Sequence, residues 1–171
     1  NKPLAPLVAI KPAPRPWDRI HSDICGPYAN IGGASRYYVI TAKDSCSGYV
    51  VVRPCLNTPT SIDVRDFLQS IFDTFHRRPL MVHTDNGSQF KAKEIEIFLD
   101  RLNINHILTP INSSFTNGKI ERWHRYLNEY LRSHIDTGKA STATFFNIVK
   151  KAAIKYNITP NRTGESPHDK V

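Results

Sequence analysis

The sequence predicts an α/β protein in which a mixed β-sheet carries helices on its faces. Segments rich in β-branched and aromatic residues come first, and a short polar link of the kind found in hairpins joins two of them. Segments with helical spacing of apolar residues then alternate with short apolar strands, which is typical of an α/β sheet. Two helical segments close the chain, so the predicted order is β-β-β-α-β-α-β-α-α.

Five segments have the composition of strands. They are residues 21–25, 36–41, 48–53, 80–83 and 106–109. We expect the first to end at Gly26-Pro27, because this dipeptide breaks regular structure. The polar link over residues 43–48 predicts a hairpin between the second and third strands.

Four segments place apolar residues on one helical face. The stripes are Val64, Phe67, Leu68, Ile71, Phe72 and Phe75; Ile95, Phe98, Leu99 and Leu102; Ile120, Trp123, Leu127, Tyr130 and Leu131; and Phe145, Ile148, Val149, Ala152 and Tyr156. We expect Thr58 to cap the first helix, with Pro59 at its first position. Ser141 or Thr142 would cap the fourth, and the Ser/Asn-rich residues 112–118 predict a loop before the third.

Charge and length indicate one domain with a polyanionic partner. The chain has 171 residues, and 23 Lys and Arg against 15 Asp and Glu give a net charge of +8. The alternative is charge that serves solubility alone. We assign residues 1–14, which are rich in proline, to an extended arm and residues 15–171 to the folded domain.

Cysteine usage and hydropathy exclude several classes of protein. The three cysteines form no C-x-x-C pair, which argues against a zinc module in this segment and fits a reducing compartment. No apolar run approaches the roughly 18 residues that span a bilayer, and the N-terminus has no signal-peptide pattern. We therefore expect a soluble intracellular protein without a membrane partner.

Three carboxylates stand at positions suited to metal chemistry. Asp23 lies inside the first strand, where aspartate is rare, and Asp85 directly follows the fourth strand before the turn Asn86-Gly87. Glu121 would lie in the first turn of the third helix. Carboxylates that share a cleft repel one another unless a cation neutralises them. Oxygen ligands favour Mg²⁺ or Mn²⁺, and two such ions can catalyse phosphoryl transfer.

Each carboxylate also has a simpler interpretation. Asp85 could be only a turn residue, and Glu121 could be an acid favoured by the helix dipole. Asp23 is the hardest of the three to explain without a function. His83, His106 and His124 are interpreted as packed or surface histidines and not as metal ligands, and Trp123 and Tyr130 as core residues.

Three motifs resemble those of retroviral and LTR-retrotransposon integrases. Residues 16–23, Pro-Trp-Asp-Arg-Ile-His-Ser-Asp, resemble the motif around the first catalytic Asp of that family, and residues 83–90, His-Thr-Asp-Asn-Gly-Ser-Gln-Phe, the motif around the second. Residues 117–122, Asn-Gly-Lys-Ile-Glu-Arg, resemble the motif around the Glu. Asp85 and Glu121 are separated by 35 residues, the spacing that gives the D,D-35-E family its name. The resemblance runs from about residue 14 to the C-terminus.

The resemblance implies a ribonuclease-H-like fold with five strands, and Asp23, Asp85 and Glu121 as catalytic metal ligands. It implies Mg²⁺ as the cofactor, replaceable by Mn²⁺, and DNA of the element ends and of the target as substrate. The implied reactions are 3′-end processing by water and strand transfer by the new 3′-hydroxyls. A core homodimer, a higher oligomer of the full-length protein and action in the nucleus, after a cytoplasmic or particle-associated stage, are further expectations.

Five residues are candidates for DNA contacts. They are Phe115, Lys119, Arg122, Arg125 and Asn128. Arg125 lies one turn after Glu121 and is expected on the cleft side, whereas Arg122 is equally compatible with a solvated basic face. Lys119 would precede the helix and meet a phosphate at its N-terminus. Phe115 stands where relatives commonly have Gln, and it either stacks on a base or packs onto the core.

Two other functions compete with that of an integrase. One is a cut-and-paste transposase or nuclease of the same fold, against which the Asp85–Glu121 spacing argues. The other is a domesticated, catalytically silent domain that binds DNA or protein partners. The intact carboxylates argue against this second alternative.

Overall fold

A computed structural model describes residues 13–28, 36–109, 114–136 and 138–171, with backbone only for residues 114–119. The strands are β1 (Arg19–Tyr28), β2 (Tyr37–Asp44), β3 (Val50–Leu56), β4 (Met81–Thr84) and β5 (Asn105–Leu108). The helices are α1 (Ser61–Phe75), α2 (Lys93–Arg101), α3 (Ser114–His134) and α4 (Thr142–Ile158), followed by a 3₁₀ turn at His168–Lys170. This order confirms the predicted one, with element ends shifted by a few residues.

The five strands form one mixed sheet in the order β3-β2-β1-β4-β5. β1, β2 and β3 pair antiparallel as a meander, which confirms the predicted hairpin, and β4 and β5 add parallel to β1. Parallel pairing places the carboxyl ends of β4 and β5 at the same edge of the sheet. This mixed five-stranded sheet confirms the predicted fold class.

Helices cover both faces of the sheet and enclose two apolar cores. The first core packs α1 and α2 against one face around Phe67, Leu68 and Val82. The second packs α3 and α4 against the other face around Trp123, which is fully buried, and Phe145. Successive side chains of a strand point to opposite faces. Asp23 therefore faces α3, whereas its neighbour Ile24 packs against the first core.

The predicted cap of α1 is wrong, because Thr60 and not Thr58 occupies that position. The Thr60 hydroxyl accepts the Asp63 amide N–H at 3.2 Å, and the Asp63 carboxylate accepts the Thr60 amide N–H at 2.7 Å. This reciprocal capping box requires an acid three residues after the cap. Thr58 has Ser61 at that position, so it lacks the second half of the motif. Pro59 consequently lies before the cap and not at the first helical position.

The predicted end of β1 at Gly26-Pro27 is also wrong. The strand continues to Tyr28, which pairs with Tyr37 beyond a register shift. Gly26 has a φ of 124°, and a Cβ atom there would lie 2.8 Å from the Tyr37 carbonyl oxygen. The breaker therefore produces a bulge against β2, and the strand resumes after it.

The third helix starts earlier than predicted. α3 begins at Ser114, so part of the predicted loop is helical and Glu121 is the eighth helical residue, outside the first turn. Lys119 lies within the helix and does not precede it. One glycine inside a helix costs about 1 kcal/mol. Burial of Trp123 and Leu127 outweighs that cost, since each contributes roughly 1.5–3 kcal/mol.

Residues 1–12 of the predicted arm lie outside the described part of the chain. Ala13, which the sequence assigns to that arm, is already buried. Among the described residues, no helix combines the length and apolar character needed to cross a bilayer.

Candidate functional site

A cleft of about 150 Å³ lies where β1 and β4 run side by side beneath α3. Its lining residues are His21, Ser22, Asp23, His83, Thr84, Asp85, Thr109 and Ile120. The parallel register pairs His21 with His83, so the carboxylates two residues further along each strand stand next to each other. The cleft is several times larger than the roughly 30 Å³ that one water occupies in the liquid. It can therefore hold an ion with bound waters.

Asp23 is a carboxylate of the cleft with a perturbed pKa. Its Oδ1 accepts the Ile24 amide N–H at 2.8 Å, which fixes the orientation of the group. Burial, followed by the negative charge of Asp85, raises the pKa of Asp23 from 3.8 to about 6. The two carboxylates therefore carry an electrostatic conflict that a bound cation would relieve.

Asp85 is held by the turn that follows β4. Its Oδ1 accepts the Gly87 amide N–H at 2.8 Å. A Cβ atom at position 87 would lie 2.9 Å from the same oxygen, so only glycine lets the backbone approach this closely. Asn86 secures the next segment, because its side-chain amide donates to the Thr109 carbonyl at 3.2 Å. The Asp-Asn-Gly sequence is thus a turn that also positions a carboxylate.

His124 on α3 faces Asp23 from above the cleft. Its Nδ1 lies 3.9 Å from Asp23 Oδ2, the oxygen that Ile24 does not hold. Its Nε2 is buried and has no hydrogen-bond partner among the described residues. Burial, together with the positive charge of Lys43, lowers the pKa of His124 to about 4. The ring is therefore neutral near pH 7 and supplies no positive charge to the two carboxylates.

The other histidines predicted to be packed lie around the same cleft. His83 is buried and stacks on His21 with ring centroids 4.9 Å apart. Burial, then the charges of Arg19 and His106, lowers the pKa of His83 to about 4. His106 Nε2 lies 2.9 Å from the Thr84 hydroxyl. These contacts confirm that His83 and His106 are packed, and they place both near the cleft.

Glu121 does not complete a cluster with the two aspartates. It is exposed on α3, next to Ile120, which lines the cleft. The described residues contain no group of three His, Cys, Asp or Glu side chains arranged to hold a metal ion. Two adjacent oxygen donors and a polar cleft nevertheless fit a hard divalent cation such as Mg²⁺. Glu121 as the third ligand stays a prediction.

The predicted DNA contacts lie in different surroundings. Arg125 is exposed one turn after Glu121, and Asn128 accepts a hydrogen bond from the Tyr28 hydroxyl at 3.0 Å. Arg122 lines a second cavity and not the cleft. The side chains of Phe115 and Lys119 lie outside the described residues.

Sequence reasoning missed two residues of this region. His124, interpreted from the sequence as a packed or surface histidine, lies beside Asp23, and His21 is not among the residues that the sequence singled out. His21 could have been found from strand alternation, because it lies two residues before Asp23 and so shares its face. For His124 the signal is its position three residues after Glu121 on the same helix.

Comparisons with known proteins place the chain in a family. Residues 13–114 match the family model described as integrase core domain. The chain is 29% identical over 137 residues to the retrovirus-related Pol polyprotein from transposon 412 of Drosophila melanogaster. It is 26% identical over 133 residues to the Gag-Pol polyprotein of avian reticuloendotheliosis virus. These matches cover 78% and 77% of this chain but only 11% of each polyprotein.

Solved structures share the fold. The catalytic core domain of BIV integrase matches with a TM-score of 0.68 at 20% identity, covering 90% of this chain and 92% of that one. A chain of the simian T-cell lymphotropic virus intasome, in complex with the PP2A regulatory subunit B56 gamma, matches with a TM-score of 0.78 at 20% identity. That match covers 94% of this chain and 56% of the other. The fold is therefore the ribonuclease-H-like fold of integrase cores, and the chain belongs to the integrase core domain family.

Proposed function

We propose that this domain catalyses divalent-metal-dependent phosphodiester transfer on DNA: 3′-end processing of a retroelement and transfer of its strands into target DNA. One observation carries the proposal. Asp23 and Asp85 share a single cleft, and burial and the charge of Asp85 hold the pKa of Asp23 at about 6. A folded protein keeps such a destabilised pair when the pair has a ligand to bind.

Asp23 and Asp85 would hold Mg²⁺ or Mn²⁺, with Glu121 as the third ligand. Ions held there would supply activation of the attacking oxygen and neutralisation of the leaving oxygen at the phosphorus. In processing, a water oxygen bonds to phosphorus and the strand's 3′-oxygen leaves. In joining, that 3′-hydroxyl attacks a target phosphodiester and displaces a 3′-oxygen of the target, so the number of phosphodiester bonds is conserved.

The residues of the chain orient these groups. The Ile24 amide holds one carboxylate oxygen of Asp23, and the Gly87 amide holds one carboxylate oxygen of Asp85. The second oxygen of each carboxylate is left for the metal. Arg125, exposed on α3 one turn after Glu121, would neutralise a phosphate of the element end. The net charge of +8 favours DNA over neutral substrates.

Assembly and location form part of the same proposal. We propose a homodimer of this core, a higher oligomer of the longer protein and action in the nucleus. One structural relative is a chain of an intasome, which supports an assembly of several copies with DNA. The chain spans about a tenth of the polyproteins that it matches, so other segments can contribute to these properties.

The test is a disintegration assay on this core and a strand-transfer assay on the full-length protein, each with Mg²⁺ or Mn²⁺. Glu121→Gln should lower the rate roughly 100-fold or more, as expected when a group that stabilises the transition state is lost. Glu129→Gln, an equally exposed glutamate on α3, is the matched control and should keep the wild-type rate.

A second candidate is a catalytically silent domain that binds DNA. The exposure of Glu121 away from the two aspartates favours it. Wild-type protein that binds duplex DNA but has no metal-dependent activity in either assay would support this alternative and contradict the catalytic one.

A further inference from the structure

A second cavity, of about 470 Å³, lies beside the cleft. Its walls are the end of β2, the turn after that strand, the middle of α3 and the end of α4. The lining residues that carry a positive charge or a phenolic hydroxyl are Lys43, Arg122, Tyr126 and Tyr156. The DNA-contact prediction for Arg122 therefore leads to a site separate from the carboxylates.

The cavity is basic. Its lining includes Lys43 and Arg122, and no Asp or Glu stands among the described residues that line it. Lys43 is only 5% exposed, donates to the Tyr156 hydroxyl at 2.8 Å and lies 5.1 Å from the centre of that ring. Burial raises the pKa of Tyr156, and the positive charge of Arg122 partly offsets that rise. Arg122 is therefore close enough to influence the tyrosine that Lys43 contacts. Two cations thus converge on one concave surface.

A hydrogen-bond donor in this wall lacks an acceptor. The Tyr126 hydroxyl oxygen is buried and has no partner among the described residues. Its ring lies 5.2 Å from that of Tyr156, which fixes its place. A buried hydroxyl without a partner destabilises the fold. An anion that accepts from Tyr126, after a small movement that brings the hydroxyl to the cavity surface, would remove this destabilisation.

The cavity adjoins the catalytic cleft through β2. Lys43 pairs in register with His21, which lines the cleft, and the Lys43 charge reaches His124. Arg122 follows Glu121 directly in α3. A duplex engaged at the carboxylates therefore has its sugar-phosphate backbone within reach of the cavity.

We propose that Lys43, Arg122 and Tyr126 form a phosphate site that holds the DNA backbone beside the cleft. The inference rests on the proposed function, because DNA must occupy the cleft. Lys43 and Arg122 supply the charge, and the Tyr126 hydroxyl donates to a phosphate oxygen. Free pyrophosphate shares this chemistry and is the competing source of the anion.

The test is binding of a fluorescent 20-base-pair duplex, measured by anisotropy without divalent metal across a range of salt concentrations. Arg122→Gln should reduce the slope of log K against log[salt] by about one and weaken binding about eightfold at 0.1 M salt. Tyr126→Phe should weaken binding roughly tenfold with an unchanged slope, because it removes a neutral donor to a charged acceptor. It should not lower the thermal stability of the free protein.

Lys139→Gln is the matched control. Lys139 is exposed between the end of α3 and the start of α4, whereas the cavity lies at the middle of α3 and the end of α4. The proposal is overturned if Arg122→Gln and Tyr126→Phe both bind the duplex as Lys139→Gln does. Pyrophosphate binding that depends on both residues, with duplex binding unaffected, would replace DNA by a small anion as the ligand. Normal strand transfer in that case would leave the proposed function intact, whereas wild-type protein that binds no duplex would contradict both.

Discussion

Replacing Asp23 by Asn should stabilise the metal-free protein near neutral pH. The partly buried carboxylate has a pKa of about 6 in place of 3.8, so ionising it costs more in the folded than in the unfolded chain. One pKa unit corresponds to about 1.4 kcal/mol, which gives an upper limit of about 3 kcal/mol. Asparagine removes the charge and can still accept the Ile24 amide N–H.

The direction of the pKa shift of Asp23 determines the pH range in which its contribution to stability changes. Because the pKa of Asp23 is raised by folding, this carboxyl stabilises the fold below about pH 4 and that contribution is lost as the pH rises to about 6. Asp23→Asn should therefore match wild type near pH 4 and exceed it at pH 7. For a domain of this size, 1–3 kcal/mol corresponds to roughly 2–12 °C in Tm.

Thermal unfolding at pH 4 and pH 7, with and without Mg²⁺, measures both parts of this prediction. Mg²⁺ should raise the Tm of wild type and leave that of Asp23→Asn almost unchanged, since a ligand stabilises only the state that binds it. Asp100→Asn, an exposed carboxylate on α2, should shift stability by less than about 0.5 kcal/mol. The reasoning is refuted if Asp23→Asn is no more stable than wild type at pH 7, or if Mg²⁺ stabilises both equally.

Four further predictions follow from the cleft. Folding lowers the pKa of His83 and His124 to about 4, so urea titrations should show stability falling from pH 6.5 towards 4, opposed by Asp23. His124→Leu should weaken the Mn²⁺ affinity, measured by thermal shift, by about tenfold, and His124→Asn should restore it if a polar contact positions Asp23. Gly87→Ala should weaken the same affinity about tenfold, because the new Cβ displaces the adjacent carboxylate oxygen. Arg125→Glu should weaken duplex binding at least about tenfold at 0.1 M salt with unchanged circular dichroism, and a salt titration like that of wild type would contradict it.

The order of elements followed from local patterns that tertiary structure did not override. Short runs of β-branched, aromatic and apolar residues predicted the strands, and apolar stripes with helical spacing predicted the helices, because burial of these side chains decides both. The start of α3 at Ser114 was not predicted from the sequence. Burial of Trp123 and its neighbours outweighs the cost of Gly118 inside the helix, and helix propensity alone does not include that packing. The cap at Thr60 was available from sequence, because Asp63 stands three residues later.

The site was predicted in part. Motif resemblance indicated Asp23 and Asp85, and the parallel register of β1 and β4 brings them together. The position of His124 beside Asp23 and the charge of Lys43 that acts on His124 were not predicted, because both residues reach the region from other elements through nonlocal packing. Their positions depend on how α3 lies on the sheet, which no local pattern specifies.

Metal rescue of a sulfur-substituted substrate tests the central claim most directly. In the disintegration assay, replacing a non-bridging oxygen of the scissile phosphate by sulfur weakens a Mg²⁺ contact, whereas Mn²⁺ accepts the softer atom more readily. If Asp23, Asp85 and Glu121 hold the ions that contact this phosphate, wild type should be slow on one sulfur isomer with Mg²⁺ and recover with Mn²⁺. Glu121→Gln should be slow with either ion. Equal rates with Mg²⁺ on the oxygen substrate and on both sulfur isomers, or full activity of Glu121→Gln, would contradict the account.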